Sequence, residues 1–225
     1  MKETSKVVKK PKVLIVDDDR ALGDGIAFLL ESKRIDSIQY LSGEEFMAAA
    51  ELDPLEDQIG CVLLDVRMSG LSGMDVFYWL ANQDPHGVMP VIFMTGHGEL
   101  PMAVQVMKRG AFDFVQKPFD SNNLIHLIES AIKLSRERSE NQFLRSNINE
   151  RLNTLTDKEI IVMSDVYLGA SNKDIAEKMG NSVRTVELHR AHVYEKMDVK
   201  NGIELARLLE QTDWQTKLLK AKKPA

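Results

Sequence analysis

Carboxylates, a hydroxyl and an amine stand at the ends of short apolar runs in the first half of the sequence. They are the acids 17–19 after "KVLIV", Asp65 at the end of "CVLLD", Thr95 after "PVIFM" and Lys117 after "DFVQ". Carboxylates that lie close together repel one another unless a cation sits among them. Oxygen ligands suit a hard ion such as Mg²⁺, and a carboxylate beside it can attack phosphorus to form an aspartyl phosphate.

These chemical groups need a scaffold that brings four separate segments together. The apolar runs 12–16, 37–41, 61–65, 90–94 and 113–116 alternate with segments of helical periodicity. Such alternation indicates βαβ units, and we predict an α/β fold with a five-stranded, doubly wound parallel sheet. The carboxyl ends of its strands share one edge, where ligands bind. Any one aspartate has an alternative role as a helix N-cap or loop acid, but the whole set indicates a site.

Composition divides the chain into two units with different properties. Residues 11–128 carry 18 acidic and 8 basic side chains, whereas residues 153–213 carry 11 and 8. The single cysteine, Cys61, lies in an apolar run, which favours a core position and a reducing cytoplasm. No apolar run approaches the ~20 residues of a membrane span, so we expect no membrane partner. The start, "MKETSKVVKKPK", is too polar for a secretory signal, and residues 1–10 are expected to be a disordered basic tail.

The second half has helical patterns throughout. From Ser121 to Leu168 there is neither glycine nor proline, so we predict that the last helix of the domain at 11–128 continues into a helical linker at 129–151. "TDKE" at 156–159 matches a capping box, and glycines and serines further on divide the segment 152–213 into four short helices. The remaining residues, 214–225, are interpreted as a basic tail.

The first domain resembles the receiver domain of bacterial response regulators, a flavodoxin-like fold. The motifs "VLIVDDD", "LLDVRMSGLSG" and "IFMTGHGELPMAVQVMKRGAFDFVQKPF" occur in order with the family spacing. One departure is Ser69, where the family usually has proline; this costs loop rigidity but no ligand, so we expect the site to survive.

The resemblance implies a role for each motif residue. Asp65 would accept phosphate from a sensor histidine kinase. The residues implied to bind Mg²⁺ are Asp18, Asp65 and the backbone carbonyl of Arg67, with Asp17 acting through water. The residues implied to bind or report the phosphoryl group are Thr95, Lys117 and the aromatic switch Phe114, with Pro118 as the cis-proline candidate.

The helix predicted from Ser182 to Met197 has two different faces. Val186, Val193 and Met197 share one face and suit a small core, while the opposite face includes Leu188. The residues placed there that can read bases are Glu187, Leu188 and Ala191. Those suited to phosphate contacts are Lys173, Ser182, Thr185, Arg190 and Lys196. Arg184 lies on the same outward face and is also expected to contact DNA. The alternative is a solvated helix face, and the net negative charge of this unit counts against DNA binding.

The second half is similar to the LuxR-type helix-turn-helix, over about residues 152–211. Together with the receiver it resembles the FixJ/NarL group, whose base-contacting positions fall on Glu187, Leu188 and Ala191. We therefore interpret the protein as a cytoplasmic, phosphorylation-activated transcription factor and not a turnover enzyme. Its expected partners are a sensor histidine kinase, double-stranded promoter DNA, RNA polymerase and a second copy of itself upon phosphorylation, since two half-sites multiply affinity.

The residues of the first domain are also compatible with two other functions. "DDDRA" at 17–21 has a faint likeness to the DxD motif of Mg²⁺-dependent phosphatases, although the usual Gly-Thr continuation is missing. A phosphate-independent regulator with a structural receiver would need a broken pocket, and every pocket position here is intact.

Overall fold

The protein is described by a computed structural model covering residues 10–55, 58–96 and 100–221. Two compact units divide between Glu140 and Asn141. The expected tail at 1–10 lies outside the described residues except for Lys10. Among the described residues, no helix is long and apolar enough to span a membrane.

The first unit is the predicted parallel sheet. Its strands are β1 (Lys12–Val16), β2 (Asp36–Tyr40), β3 (Gly60–Asp65), β4 (Val91–Thr95) and β5 (Asp113–Gln116). They are hydrogen-bonded in the order β2-β1-β3-β4-β5, and all four pairings are parallel. The predicted strand bounds are confirmed to within one residue. The flanking helices are α1 (Arg20–Ser32), α2 (Gly43–Leu52), α3 (Gly73–Gln83), α4 (Leu100–Lys108) and α5 (Ser121–Asn153).

The central strands are buried because helices cover both faces of the sheet. Side chains of β3 alternate between two cores: Cys61 and Leu63 belong to one, and Val62 and Leu64 to the other. Every residue of β3 and β4 is buried, which explains their nearly continuous apolar runs. Cys61 is a free, buried core residue, as expected, and its burial raises the pKa of the thiol to about 12.

The second unit is all-helical among its described residues. Its helices are α6 (Asp157–Tyr167), α7 (Asn172–Met179), α8 (Val183–Met197), α9 (Gly202–Leu209) and α10 (Gln215–Ala221). Thr156 caps α6 in a capping box with Glu159, which confirms the interpretation of "TDKE". Ser171 and Ser182 cap α7 and α8, in agreement with the division of this segment at serines. Gly180 ends α7 in the left-handed conformation, at φ 63°.

Two segments predicted as a linker and a tail contribute residues to the hydrophobic cores. The segment 129–151 is helical as expected, but it is more than a linker: Ala131 and Ile132 are buried in the core of the first unit and Ile148 in that of the second. The segment 214–225 is not simply a basic tail, because residues 215–221 form α10. Trp214 is 3% exposed, and its ring lies 5.1 Å from that of Tyr167. One aromatic side chain among lysines provides enough apolar area to fix this segment on α6.

Candidate functional site

The four predicted strand ends meet in one acidic pocket. Asp17 follows β1, Asp65 and Thr95 end β3 and β4, and Lys117 follows β5. The Lys117 Nζ atom lies 2.7 Å from Asp17 Oδ2 and 2.6 Å from Asp65 Oδ1, so one ammonium group pairs with two carboxylates. Asp17 is 1% exposed and Asp65 6%, so these ion pairs are partly shielded from solvent. The sheet therefore brings the predicted residues together.

A third carboxylate completes the acidic cluster. Asp17, Asp18 and Asp65 each offer an oxygen, and these oxygens lie within 4.8 Å of one another. Asp18 is exposed, unlike the other two. One lysine cannot neutralise three carboxylates, so the cluster favours a cation. An all-oxygen donor set open to water fits Mg²⁺, which retains several waters when bound by protein.

The pocket shifts the protonation equilibria of its members. Burial raises the pKa of the Asp65 carboxyl, although the hydrogen bond from Lys117 opposes this effect. Burial lowers the pKa of Lys117, but its hydrogen bonds to Asp17 and Asp65 outweigh that effect and leave the pKa raised. The raised pKa keeps the ammonium group charged at neutral pH.

The loop after β3 is fixed by hydrogen bonds that the sequence did not reveal. The Arg67 N–H donates to Asp65 Oδ2 at 3.2 Å, and the Leu71 N–H donates to Glu44 Oε1 at 3.1 Å. Gly73 is required for close packing, since a Cβ there would lie 2.1 Å from the Asp65 carbonyl oxygen. These contacts hold the acidic strand end and its loop in a defined geometry.

Ser69 lies against the acidic cluster. Its N–H and its Oγ hydroxyl both donate to Asp18 Oδ2, at 2.8 and 2.9 Å. The backbone bond is the main reason that the pKa of Asp18 is lowered. Sequence reasoning identified Ser69 as a departure from the family but did not find this contact.

Thr95 ends β4, and Phe114 lies on the neighbouring strand β5. Thr95 is 3% exposed, and its Oγ1 is 3.5 Å from the Val115 carbonyl oxygen, at the limit of a hydrogen bond. Phe114 is partly buried and packs against one core of the sheet. The Lys117–Pro118 peptide bond is cis, which confirms the cis-proline prediction.

In the second unit, α8 presents the two faces predicted from the sequence. Val186, Val193 and Met197 are each 0% exposed, whereas Leu188 is 56% exposed. The other residues of the predicted DNA-contact set that are exposed are Lys173, Ser182, Arg184, Glu187 and Ala191. Thr185 is partly buried, with its Oγ1 2.8 Å from Ser182 Oγ. The outward face of α8 that the sequence predicts is therefore exposed to solvent in the structure.

Two predicted phosphate contacts are engaged inside the unit. Arg190 donates to Asn172 Oδ1 at 2.6 Å and to the Tyr194 hydroxyl at 2.7 Å. Lys196 donates to Glu159 Oε2 at 2.7 Å. Their long side chains fold back onto neighbouring groups, so both contribute to holding α8 in place.

The geometry of the two units agrees with comparisons to known families. Residues 13–129 match the model of the response regulator receiver domain, and residues 153–209 match that of the luxR family of bacterial regulatory proteins. The chain belongs to the two-component response regulators that join a receiver to a LuxR-type DNA-binding domain, and so to the transcriptional regulators.

Individual relatives are similar along most of their length. The chain is 41% identical to the C4-dicarboxylate transport transcriptional regulatory protein DctR of Rhodobacter capsulatus, over 87% of this chain and 98% of that protein. It is 39% identical to the transcriptional regulatory protein FixJ of Azorhizobium caulinodans, over 87% and 90%. Among solved structures, the response regulator StyR matches with a TM-score of 0.77 at 31% identity, over 90% of this chain and 99% of that one.

Proposed function

We propose that Asp65 accepts a phosphoryl group from a sensor histidine kinase and that its phosphorylation controls binding of the second unit to promoter DNA. The observation that supports this most is the position of Lys117, which contacts the carboxylate of Asp65 at the open edge of the sheet. A nucleophile beside a fixed cation suits attack on a phosphoryl group, whose charge needs electrostatic stabilisation.

The proposed step exchanges one bond to phosphorus for another. A carboxylate oxygen of Asp65 forms an O–P bond while the P–N bond of the kinase phosphohistidine breaks. The imidazole leaves with the electron pair and takes up a proton. Lys117 and Thr95 then bind phosphoryl oxygens, with Lys117 exchanging its contact to the carboxylate for one to the new anion.

The residues proposed to hold Mg²⁺ are Asp17, through water, together with Asp18, Asp65 and the backbone carbonyl of Arg67. The three carboxylates fit this ion because their oxygens lie within 4.8 Å of one another. Asp18 is exposed, so the site is open to the waters that Mg²⁺ retains. When bound, the ion supplies charge stabilisation for the phosphoryl oxygens. The side chains of this chain position the nucleophile and the amine.

Thr95 and Phe114 are proposed to convert phosphorylation into a change of surface. The weak hydrogen bond of Thr95 leaves its hydroxyl able to turn toward the phosphoryl group. Phe114 would then fill the space that Thr95 leaves. It pairs with Phe93 of β4, which lies two residues before Thr95 and therefore on the same face of that strand. Without a phenol, Phe114 can report the change through packing alone.

The second unit is proposed to read DNA through α8. Glu187, Leu188 and Ala191 would contact base edges, while Lys173, Ser182, Arg184 and Thr185 would contact phosphates. Arg190 and Lys196 now support the helix and would reach phosphate only by exchanging their partners. Phosphorylation is proposed to promote a cytoplasmic homodimer that occupies two half-sites and acts with RNA polymerase.

The first test uses intact-mass analysis after incubation with Mg²⁺ and a small acyl phosphate. The native chain should gain one phosphoryl group, and Asp65→Asn should gain none. Asp24→Asn, at an exposed aspartate of α1, is the matched control and should behave as the native chain. No adduct on the native chain would favour a phosphate-independent regulator. Continuous donor hydrolysis that survives Asp65→Asn would instead favour a phosphatase.

A further inference from the structure

The two hydrogen bonds between Ser69 and Asp18 join the loop after β3 to the loop after β1. Both donors of Ser69 converge on one oxygen, Asp18 Oδ2. The loop that carries Ser69 is itself held, because the Leu71 N–H donates to Glu44. Gly70, at φ 92°, provides the turn between these two anchors. The serine is therefore presented to Asp18 by an ordered loop.

Asp18 needs such an anchor more than the other acids of the pocket. Lys117 pairs with Asp17 and Asp65, and no Lys117–Asp18 ion pair occurs among the described contacts. Asp18 is also exposed, so its side chain can turn into solvent away from the two like charges nearby. Two donors on one carboxylate oxygen oppose this rotation. The second oxygen, Oδ1, takes no part in either of these bonds.

We propose that Ser69 is a positioning residue that holds Asp18 ready for Mg²⁺, an inference that rests on the metal site of the proposed function. Fixing the ligand before the ion arrives reduces the conformational entropy lost on binding. A proline at this position has neither an N–H nor a hydroxyl and can make neither bond. The serine thus lacks the rigidity of a proline but holds a metal ligand in place through two hydrogen bonds.

The test is calorimetric titration of Mg²⁺ into the full chain without any phosphate donor. Ser69→Ala keeps the N–H and loses the hydroxyl, and its Kd for Mg²⁺ should rise about threefold. Ser69→Pro loses both donors, and its Kd should rise about tenfold. Ser69→Thr keeps both donors and should bind as the native chain does. The control is Ser32→Ala, which removes an exposed hydroxyl bonded only to the Leu29 carbonyl among the described contacts.

A purely structural role for Ser69 would be visible in a second measurement. In excess EDTA the melting temperature of Ser69→Ala should fall slightly, because its hydrogen bond to Asp18 exists without the metal. The rise in melting temperature on adding Mg²⁺ should be smaller in Ser69→Ala than in the native chain and Ser69→Thr, whereas a purely structural role would leave that rise unchanged. An unchanged or lower Kd in Ser69→Ala would overturn the inference even if Ser69→Pro fails to fold. If the native chain binds no Mg²⁺, the proposed metal site itself is wrong. Equal Mg²⁺ affinity in the native chain and all Ser69 variants would leave that site in place and overturn only the role of Ser69.

Discussion

Lys117 is the residue on which the electrostatics of the pocket depend. Its ammonium group is 2.7 and 2.6 Å from two buried carboxylates, and burial increases the interaction between such charges. In the unphosphorylated state Lys117 limits the electrostatic repulsion between Asp17 and Asp65. In the phosphorylated state it would serve as a donor to the phosphoryl group. Removing the charge of Lys117 should therefore affect the chemistry and, because it leaves two buried carboxylates unpaired, also the stability of the fold.

Replacing Lys117 with methionine should slow phosphorylation. The variant keeps most of the side-chain volume but removes the charge that stabilises the transferring phosphoryl group, so we expect at least a tenfold lower initial rate. The rate of adduct formation with an acyl phosphate, followed by intact mass, measures it. Lys108→Met, at an exposed lysine ending α4, should leave the rate unchanged. Equal rates in both variants would contradict the proposed role.

Arg184 and Leu188 should have separable effects on DNA binding. Arg184→Ala should weaken binding to all sequences alike and reduce the dependence on salt by about one phosphate contact. Leu188→Ala should instead change the preferred bases while the salt dependence stays the same. Sequences enriched from random DNA, followed by anisotropy titrations at several salt concentrations, distinguish the two. A salt slope that drops equally in both variants would argue against this division.

At the scale of elements, α6 organises the second unit through two buried acids. Glu159 accepts a hydrogen bond from Lys196 of α8, and Asp165 accepts one from Lys178 of α7. Glu159 and Asp165 are 3% and 4% exposed. Both helices of the helix-turn-helix are thus joined to α6 by ion pairs as well as by the shared apolar core.

The Glu159 pair should make stability depend on pH. Burial raises the pKa of Glu159, but hydrogen bonds from Lys196 and Thr156 outweigh that effect and leave it below 4.5. A depressed pKa contributes stability that is complete above the unfolded value and is lost as pH falls through the folded one. Glu159→Gln should therefore cost about 1–2 kcal/mol at pH 7, and this difference should shrink below pH 4.5.

The measurement needs a reporter for the second unit. In a Trp79→Phe background, the remaining tryptophan is Trp214, which is buried in that unit. Urea unfolding followed by its fluorescence gives the free energy for the parent and for Glu159→Gln at each pH. A difference that stays constant from pH 7 to pH 4 and below would show that the Glu159 charge is not involved.

Trp214 itself should be essential to the second unit. Truncation to alanine leaves a cavity beside Tyr167 and should cost about 3–5 kcal/mol. Leu219→Ala, at a side chain of α10 that is 67% exposed, should cost less than about 0.5 kcal/mol. Unfolding followed by circular dichroism measures both. Similar losses in the two variants would contradict the account of α10.

The sequence predicts the location of a site residue well when that residue stands at the end of a strand. Asp65 and Thr95 end buried strands, so the parallel sheet was enough to bring them together. Sequence reasoning did not find the Ser69–Asp18 contact, which depends on the path of a loop held by Glu44. Nor could helical periodicity show that Arg190 folds back onto α7, because a long side chain has many rotamers and its partner lies on another helix.

The whole chain combines an acidic unit, for which phosphoryl chemistry is proposed, with a helical unit suited to DNA. Each has its own hydrophobic core, and helix α5 contributes residues to both. The proposed phosphorylation would replace the carboxylate of Asp65, of charge −1, with an acyl phosphate of charge about −2. Its effect on DNA binding must therefore come from a shift between states of the protein, since Asp65 and the α8 surface belong to different units.

The measurement that tests this most directly is the affinity for an enriched DNA site with and without an acyl phosphate and Mg²⁺. We expect the native chain to bind at least tenfold more tightly when phosphorylated, because a dimer engages two half-sites. Asp65→Asn should show the same affinity in both conditions. Equal affinity of the phosphorylated and unphosphorylated native chain, with the adduct confirmed by mass, would contradict the claim that phosphorylation of Asp65 controls DNA binding.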